Sequence, residues 1–259
     1  MSSAKIKPYF IDDGFVLIHG DALKILKKFH DNLFDLIFVD PPYTLSNGGF
    51  TVHSGRRAPV NKGDWDASEG FVKDTKFHNK WISECKRLLK DNGTIWISGT
   101  YHSIFICGYL LQKNGYKILN DIVWYKPNAS PNISCRYFAA SHEILIWAKK
   151  STKSKHKFNY QIMKNLNDPD DIFKRNGKQM RSVWSITTPS PKEKIYGKHP
   201  TQKPEKLLER VILSSSNEGD LILDPFTGSS TTGIVSYRHN RLFIGIDNNE
   251  DYLQLSIKR

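Results

Sequence analysis

Cysteine is scarce: the 259-residue chain has three, Cys85, Cys107 and Cys135, and no two form a CxxC pair. That excludes a disulfide framework and a cysteine zinc site and leaves buried or idle thiols, so no metal is expected. None of the three follows a proline, which argues against a cysteine nucleophile attacking a cytosine ring. No apolar stretch reaches the roughly 18 residues a membrane span needs. Residues 1–10 are polar, with lysines and no apolar run behind them to make a secretory signal. A cytoplasmic protein is the expectation. Acidic residues are in deficit, 26 against 38 lysines and arginines, for a net charge of +12. Such a balance suits a polyanionic partner, because each cation placed on a phosphate releases counterions, although charge alone does not decide it. With no internal repeat or low-complexity tract, and a hydrophobic fraction of 39%, one α/β domain over residues 1–259 is expected.

Two strand–turn–helix units stand out, one near each end. Residues 33–39 are an apolar run of strand length, followed at once by Asp40-Pro41-Pro42-Tyr43. Two consecutive prolines continue neither a ladder nor a helix, so the chain must turn over the strand's carboxyl end. Residues 221–223 lead into Asp224-Pro225-Phe226-Thr227-Gly228-Ser229-Ser230, then a helical stretch over 231–238 and a strand over 241–246 ending in Asp247. Between them the patterning predicts strands over 15–19 and 94–98, and helices over 22–29, 77–90 (closed by Asn92-Gly93) and 102–113. Residues 118–124 and 144–148 read as late strands, paired as a hairpin. Alternation of this kind predicts a doubly wound sheet with ligands at the carboxyl ends of its strands. Two regions resist the pattern. Residues 44–66 read as a long loop, and 149–181 carry ten lysines and arginines against three aspartates.

The two turns suggest a chemistry. An exocyclic amine on a base is a poor nucleophile, because its lone pair is delocalised into the ring. A site that alkylates it must accept hydrogen bonds from its N–H groups. Asp40 offers a carboxylate and Pro41 a carbonyl, with Pro42 fixing the turn, and Tyr43 offers a face on which a flipped base stacks. Asp-Pro-Pro-Tyr alone could be a simple turn; its place directly after a buried strand is what favours a site. In the second unit a glycine lets backbone approach a ligand closely. Asp247 follows about twenty positions on, the spacing at which an acid meets ribose hydroxyls in such folds. The dinucleotide fingerprint GxGxxG is missing.

Together, Asp40-Pro41-Pro42-Tyr43 ahead of Asp224-Pro225-Phe226-Thr227-Gly228-Ser229-Ser230-Thr231-Thr232 resembles the β class of DNA amino-methyltransferases, in which the catalytic motif precedes the cofactor loop. His199-Pro200-Thr201-Gln202-Lys203-Pro204 and Gly20-Asp21-Ala22 match further motifs, and residues 62–65, 120–124 and 132–138 extend the likeness nearly end to end. The resemblance implies a Rossmann-like α/β fold dependent on S-adenosylmethionine (SAM), with a mixed, mostly parallel seven-stranded sheet and helices on both faces. It implies transfer of a methyl group from SAM to adenine N6 in DNA. Asp40, Pro41, Pro42 and Tyr43 would handle the base. Asp224, Phe226, Gly228, Ser229, Ser230 and Thr231 would surround the methionine part of SAM, with Asp40, Thr201 and Lys203 beside it. Asp247 would bond the ribose, and Asp21 with Ala22 would meet the SAM adenine. One departure stands out: Ser230 occupies the place of a second glycine.

For DNA, the resemblance points to Arg56, Arg57, Lys62 and Trp65 in a DNA-facing loop over 44–66, and to Arg136 and Tyr137. It also points to Arg175, Lys178 and Arg181 within a variable target-recognition segment, 151–198. Arginine to guanine is the commonest specific contact, which singles out Arg175 and Arg181; lysines 149–157 read as a solvated face. Gly177-Lys178-Gln179-Met180 and the short length resemble class members that imply GATC, with GANTC the alternative, on duplex or single-stranded DNA. Cytosine-N4 methylation uses the same geometry, but that class tends to carry serine in place of Asp40. A catalytically silent DNA-binding protein of the same fold is the remaining alternative. The class also brings a homodimer and a cognate restriction endonuclease as candidate partners, and no membrane.

Overall fold

The apolar run ahead of the Pro-Pro turn forms a strand in which every residue is buried. A strand buried on both faces needs helices over both, and the sequence supplies them in alternation. A computed structural model describes residues 6–42, 50–53, 56–59, 70–132 and 134–259, with backbone alone for 50–53 and 56–59. In chain order the elements are β1 (Phe10–Asp12), β2 (Phe15–His19), α1 (Ala22–Leu26), β3 (Phe34–Val39), β4 (Phe50–His53), β5 (Arg56–Pro59), α2 (Phe71–Leu88), β6 (Leu89–Gly99) and α3 (Ile104–Lys113). There follow β7 (Lys117–Tyr125), β8 (His142–Lys149), α4 (Tyr160–Asn165), β9 (Val183–Ser185), α5 (Glu205–Ser215), β10 (Leu221–Asp224), α6 (Thr231–Arg238), β11 (Leu242–Asp247) and α7 (Glu250–Lys258). Among the described residues no helix is long and apolar enough to cross a membrane.

The main sheet runs β1-β2-β11-β10-β3-β6-β8-β7-β9. Strands β2, β11, β10, β3 and β6 are mutually parallel, β8 turns antiparallel to β6, and β7 pairs with β8 as the expected hairpin. The sheet therefore has nine strands rather than seven. The seven expected strands are its body, and three-residue strands β1 and β9 extend its two edges. Strands that short carry no readable alternation. Period-two alternation along β3 and β6 builds both cores. Ile37, Val39, Ile95 and Ile97 face α1, α2 and α3. Leu36, Phe38 and Trp96 face α5, α6 and α7.

Three expectations need correction. Helix α2 starts earlier than expected and ends at Leu88, because Leu89 is already extended; Asn92 and Gly93 lie inside β6 rather than closing a helix. Gly93 sits where the β3–β6 register shifts, and a Cβ there would stand 2.8 Å from the Asp35 carbonyl oxygen. The glycine serves close approach of two strands. The loop over 44–66 contains an antiparallel hairpin, β4 with β5. Lysines 149, 150 and 157 are ties rather than a solvated face. Lys157 bonds Asp35 at 2.9 Å and Asp220 at 2.5 Å, while Lys149 donates to the carbonyls of Thr152 and Ser154 and Lys150 to that of Leu89. The 151–198 segment is likewise fastened to the body. Buried Arg210 of α5 bonds Asp171 at 2.6 Å and Asp168 at 2.8 Å, and Asp171 accepts the backbone N–H groups of Phe173 and Ser185.

Candidate active site

Four neighbouring parallel strands, β2, β11, β10 and β3, end along one edge of the sheet, and each delivers an aspartate there: Asp21, Asp247, Asp224 and Asp40. Between them lies a cleft of about 430 Å³, within the size range of small-molecule sites. Asp21, Ala22, Asp40, Pro41, Pro42, Thr201, Lys203, Asp224, Phe226, Gly228, Ser229, Thr231 and Asp247, all expected from sequence, line it together. Ser230 does not. It is fully buried beneath the loop, with its hydroxyl 3.0 Å from that of Thr227.

The turn after β10 is held from several sides. Asp224 accepts from the Phe226 N–H at 3.1 Å and from the Thr232 hydroxyl at 2.6 Å. Asp247 accepts from the Gly228 N–H and the Asn249 N–H, both at 2.8 Å. Gly228 has φ +51°, and a Cβ there would meet His199 Nε2 at 2.9 Å, so the position admits glycine on both counts. Beyond the residues expected, Arg259 donates to the Ser229 carbonyl and the Thr231 hydroxyl, and Ser256 donates to the Gly228 carbonyl. Phe226 packs on Phe77 and Trp81, and His199 stacks edge-on against Tyr252. Phe77, Asn248 and Tyr252 complete the wall of the cleft. The signal for the last two was legible: Asn249 ahead of Glu250-Asp251 is a helix start, and it caps α7 with its side chain.

Among the described residues the cleft is lined by four aspartates and one lysine, Lys203. Burial pushes the Asp224 carboxyl up to about 7, and the negative fields of Asp40 and Asp247 add to this against the hydrogen bonds it accepts. Burial also raises Asp247, opposed by the backbone N–H groups it accepts. Lys203, itself buried, donates to Asp40 Oδ2 at 2.6 Å. Burial works against its charge, but Asp40 and Glu143 outweigh it and hold Lys203 above the ordinary lysine range. A cationic ligand with hydroxyl groups suits such a cleft.

Arg136 and Tyr137 lie in an exposed stretch over 134–140, its turn held by the Asn132 side chain. Arg175, Lys178 and Arg181 are exposed too. The backbone there is knitted by Lys174, which donates to the carbonyls of Lys164, Arg175 and Lys178. Arg56 and Arg57 fall in β5, described by backbone alone; Tyr43, Lys62 and Trp65 lie outside the described residues.

Residues 34–258 match the DNA methylase family of N6 and N4 methyltransferases. The chain belongs to that family. The type II methyltransferase M2.DpnII of Streptococcus pneumoniae is 50% identical over 98% of this chain and 92% of its own length. M2.MboI of Moraxella bovis is 48% identical over 98% and 91%. Among solved structures, M1.HpyAVI in complex with SAM is 30% identical, covering 93% of this chain and 97% of its own, with a TM-score of 0.68. The cytosine-N4-specific PvuII methyltransferase is 19% identical, covering 93% of this chain and 84% of its own, with a TM-score of 0.71, a likeness of fold alone. Family, Rossmann-like fold class and the expectation of a DNA methyltransferase enzyme all stand. The fold is common to both amino targets, so the choice of base belongs to the site.

Proposed function

We propose that this DNA methylase transfers the methyl group of SAM to N6 of adenine in a short recognition sequence. The observation that carries it is the convergence of Asp40, Lys203 and the Asp224–Thr231 loop on one acidic cleft. Bound SAM supplies an already activated methyl on a cationic sulfur, so no nucleophile from the protein is needed. Asp224 and Asp247 would face that charge and the ribose hydroxyls, and the loop that their carboxylates hold in place would set the cofactor's depth. Asp40 and the Pro41 carbonyl accept the N–H groups of the amine, turning its lone pair toward the methyl. As the N–C bond forms and the S–C bond breaks, one amine proton leaves, and Asp40 is its first acceptor. Placement and charge carry the rate.

An aspartate at the head of the motif, where N4 enzymes tend to carry serine, supports adenine over cytosine. The exposed Arg136 and Tyr137, with Arg175, Lys178 and Arg181, fit phosphate and base contacts around a flipped nucleotide. GATC is the favoured site and GANTC the alternative, on duplex and also single-stranded DNA. A companion restriction endonuclease accords with the type II names of the relatives, and a homodimer in the cytoplasm completes the proposal. Single-molecule sequencing of plasmid DNA from a methylation-deficient host expressing the chain tests this. N6-methyladenine in one sequence context is expected; N4-methylcytosine would overturn the choice of base, and unmarked DNA with soluble protein present would overturn the activity.

A further inference from the structure

Lys203 enters the cleft between two carboxylates from different strands. Its Nζ donates to Asp40 Oδ2 at 2.6 Å and stands 3.8 Å from Glu143 Oε2, and the three side chains are only 7%, 16% and 13% exposed. Glu143, on β8, pairs across the ladder with Trp124 of β7. Its other oxygen accepts from Lys126 Nζ at 3.0 Å, and Lys126 lies 5.2 Å over the Trp124 ring. The result is a row of alternating charges, Lys126, Glu143, Lys203, Asp40. It runs from the foot of the exposed 134–140 stretch to the catalytic turn.

We propose that Glu143 is a positioning residue for methyl transfer, sharing the Lys203 charge so that Asp40 keeps enough negative character to accept the target amine. The proposal rests on the Asp40 role given above. An unshared lysine at 2.6 Å in a site largely closed to water would draw the carboxylate's electron density to itself and weaken it as an acceptor. A carboxylate on the other side of the ammonium divides that pull. The charged groups facing Lys203 are Asp40 from the end of β3, Glu143 from β8 and Asp224 from β10, while Lys126 at the end of β7 faces Glu143. Lys126 sets how much of Glu143 is available to Lys203. The row thus links the segment bearing Arg136 and Tyr137 to the reacting carboxylate.

The test is single-turnover methylation of a duplex oligonucleotide carrying the sequenced site, with SAM saturating, across pH. Glu143→Gln preserves shape and the acceptor for Lys126. Its rate constant should fall at least tenfold at neutral pH while SAM and DNA affinities stay within twofold. The acid limb of the rate profile should move to lower pH, because one carboxylate fewer then shares the Lys203 charge with Asp40. Lys126→Met frees Glu143 for Lys203 and should move the acid limb the other way. A Glu143→Gln enzyme with wild-type rate and profile would overturn the inference. So would a loss of rate, SAM affinity and melting temperature in common, which marks a merely structural pair. If Glu143→Gln does not fold, an unmoved acid limb in Lys126→Met overturns it. Wild-type protein inactive on every DNA would overturn the parent reading and this one with it.

Discussion

The two regions proposed to meet cofactor and DNA, with the Asp40 turn between them, are built differently. On the cofactor side, Asp224, Lys203 and the loop around Gly228 are buried, and each has hydrogen-bond partners from at least one other segment of the chain. On the proposed DNA side, Tyr137 is 72% and Phe138 97% exposed, and Arg136, Arg175, Lys178 and Arg181 are exposed as well. A small ligand of fixed shape can be met by strand ends and a turn set in place beforehand, with little further ordering of the protein on binding. A long polyanion with a variable sequence is met by long side chains on a fastened backbone. The division predicts that changes on one side leave the other's affinity alone, and that the rate is controlled by the turn between them and the charges that bear on Asp40.

The largest expected effect tests that turn. Asp40→Asn should lower the single-turnover rate by about 10²–10³-fold, the scale of removing one preorganised charge-stabilising group. SAM and DNA affinities, measured by calorimetry and by fluorescence anisotropy, should change only a few-fold. A variant methylating at the wild-type rate would remove Asp40 from the chemistry. Next in size is Asp247→Ala, which deletes the acceptor for the Gly228 and Asn249 N–H groups as well as the proposed ribose partner. SAM should bind more weakly by about 1.5–3 kcal/mol, with DNA affinity in the absence of SAM unaltered. Unchanged SAM affinity would count against the ribose assignment.

The pH dependence of the cofactor side follows from Asp224, raised from the usual 3.8 to about 7 by burial first and by Asp40 and Asp247 after it. A raised acid binds its proton more tightly folded than unfolded. Its contribution to stability is therefore fully present below the unfolded value and is lost as pH climbs through about 7. Asp224→Asn should remove that loss, so that the melting temperature of the SAM-free variant, relative to wild type, rises between pH 5 and pH 8. A positively charged ligand favours the ionised form, so wild-type SAM affinity should strengthen across the same range and that of the variant should not. A wild-type affinity flat with pH would place the ligand's positive charge away from Asp224.

Much of this was legible because motif and fold coincide. An apolar run followed by Asp-Pro-Pro, or by Asp-Pro-Phe, is at once a strand and its end, and both ends open on the same cleft. The misreadings have local causes. Asn92-Gly93 resembles a helix stop but serves a strand crowded by the Asp35 carbonyl. Lys157 is charged like a surface residue, yet it neutralises Asp35 and Asp220, which lie far from it in sequence. Glu143 carried no signal at all. Its significance lies in Lys203, sixty residues away, and only the antiparallel turn of β8 brings the two together.

The smallest effect concerns Ser230, the departure from the family's second glycine. Its φ of 52° and ψ of 39° are left-handed, which costs a residue with a Cβ roughly 1–2 kcal/mol. Glycine would relieve that strain but lose the bond to the Thr227 hydroxyl, worth about 1 kcal/mol, and would widen the unfolded ensemble by a similar amount. Ser230→Gly should therefore lie within about 1 kcal/mol of wild type, a shift of about 2–4 °C at most in melting temperature for a chain of this size. Alanine keeps the strain and loses the bond, so Ser230→Ala should melt below Ser230→Gly. SAM affinity should stay within twofold in both, since Ser230 lies under the loop and off the cleft wall. An alanine variant more stable than the glycine one would show that the loop tolerates the left-handed turn without strain. The serine would then be held by its environment, and the cofactor side would be more adaptable than its hydrogen bonds imply.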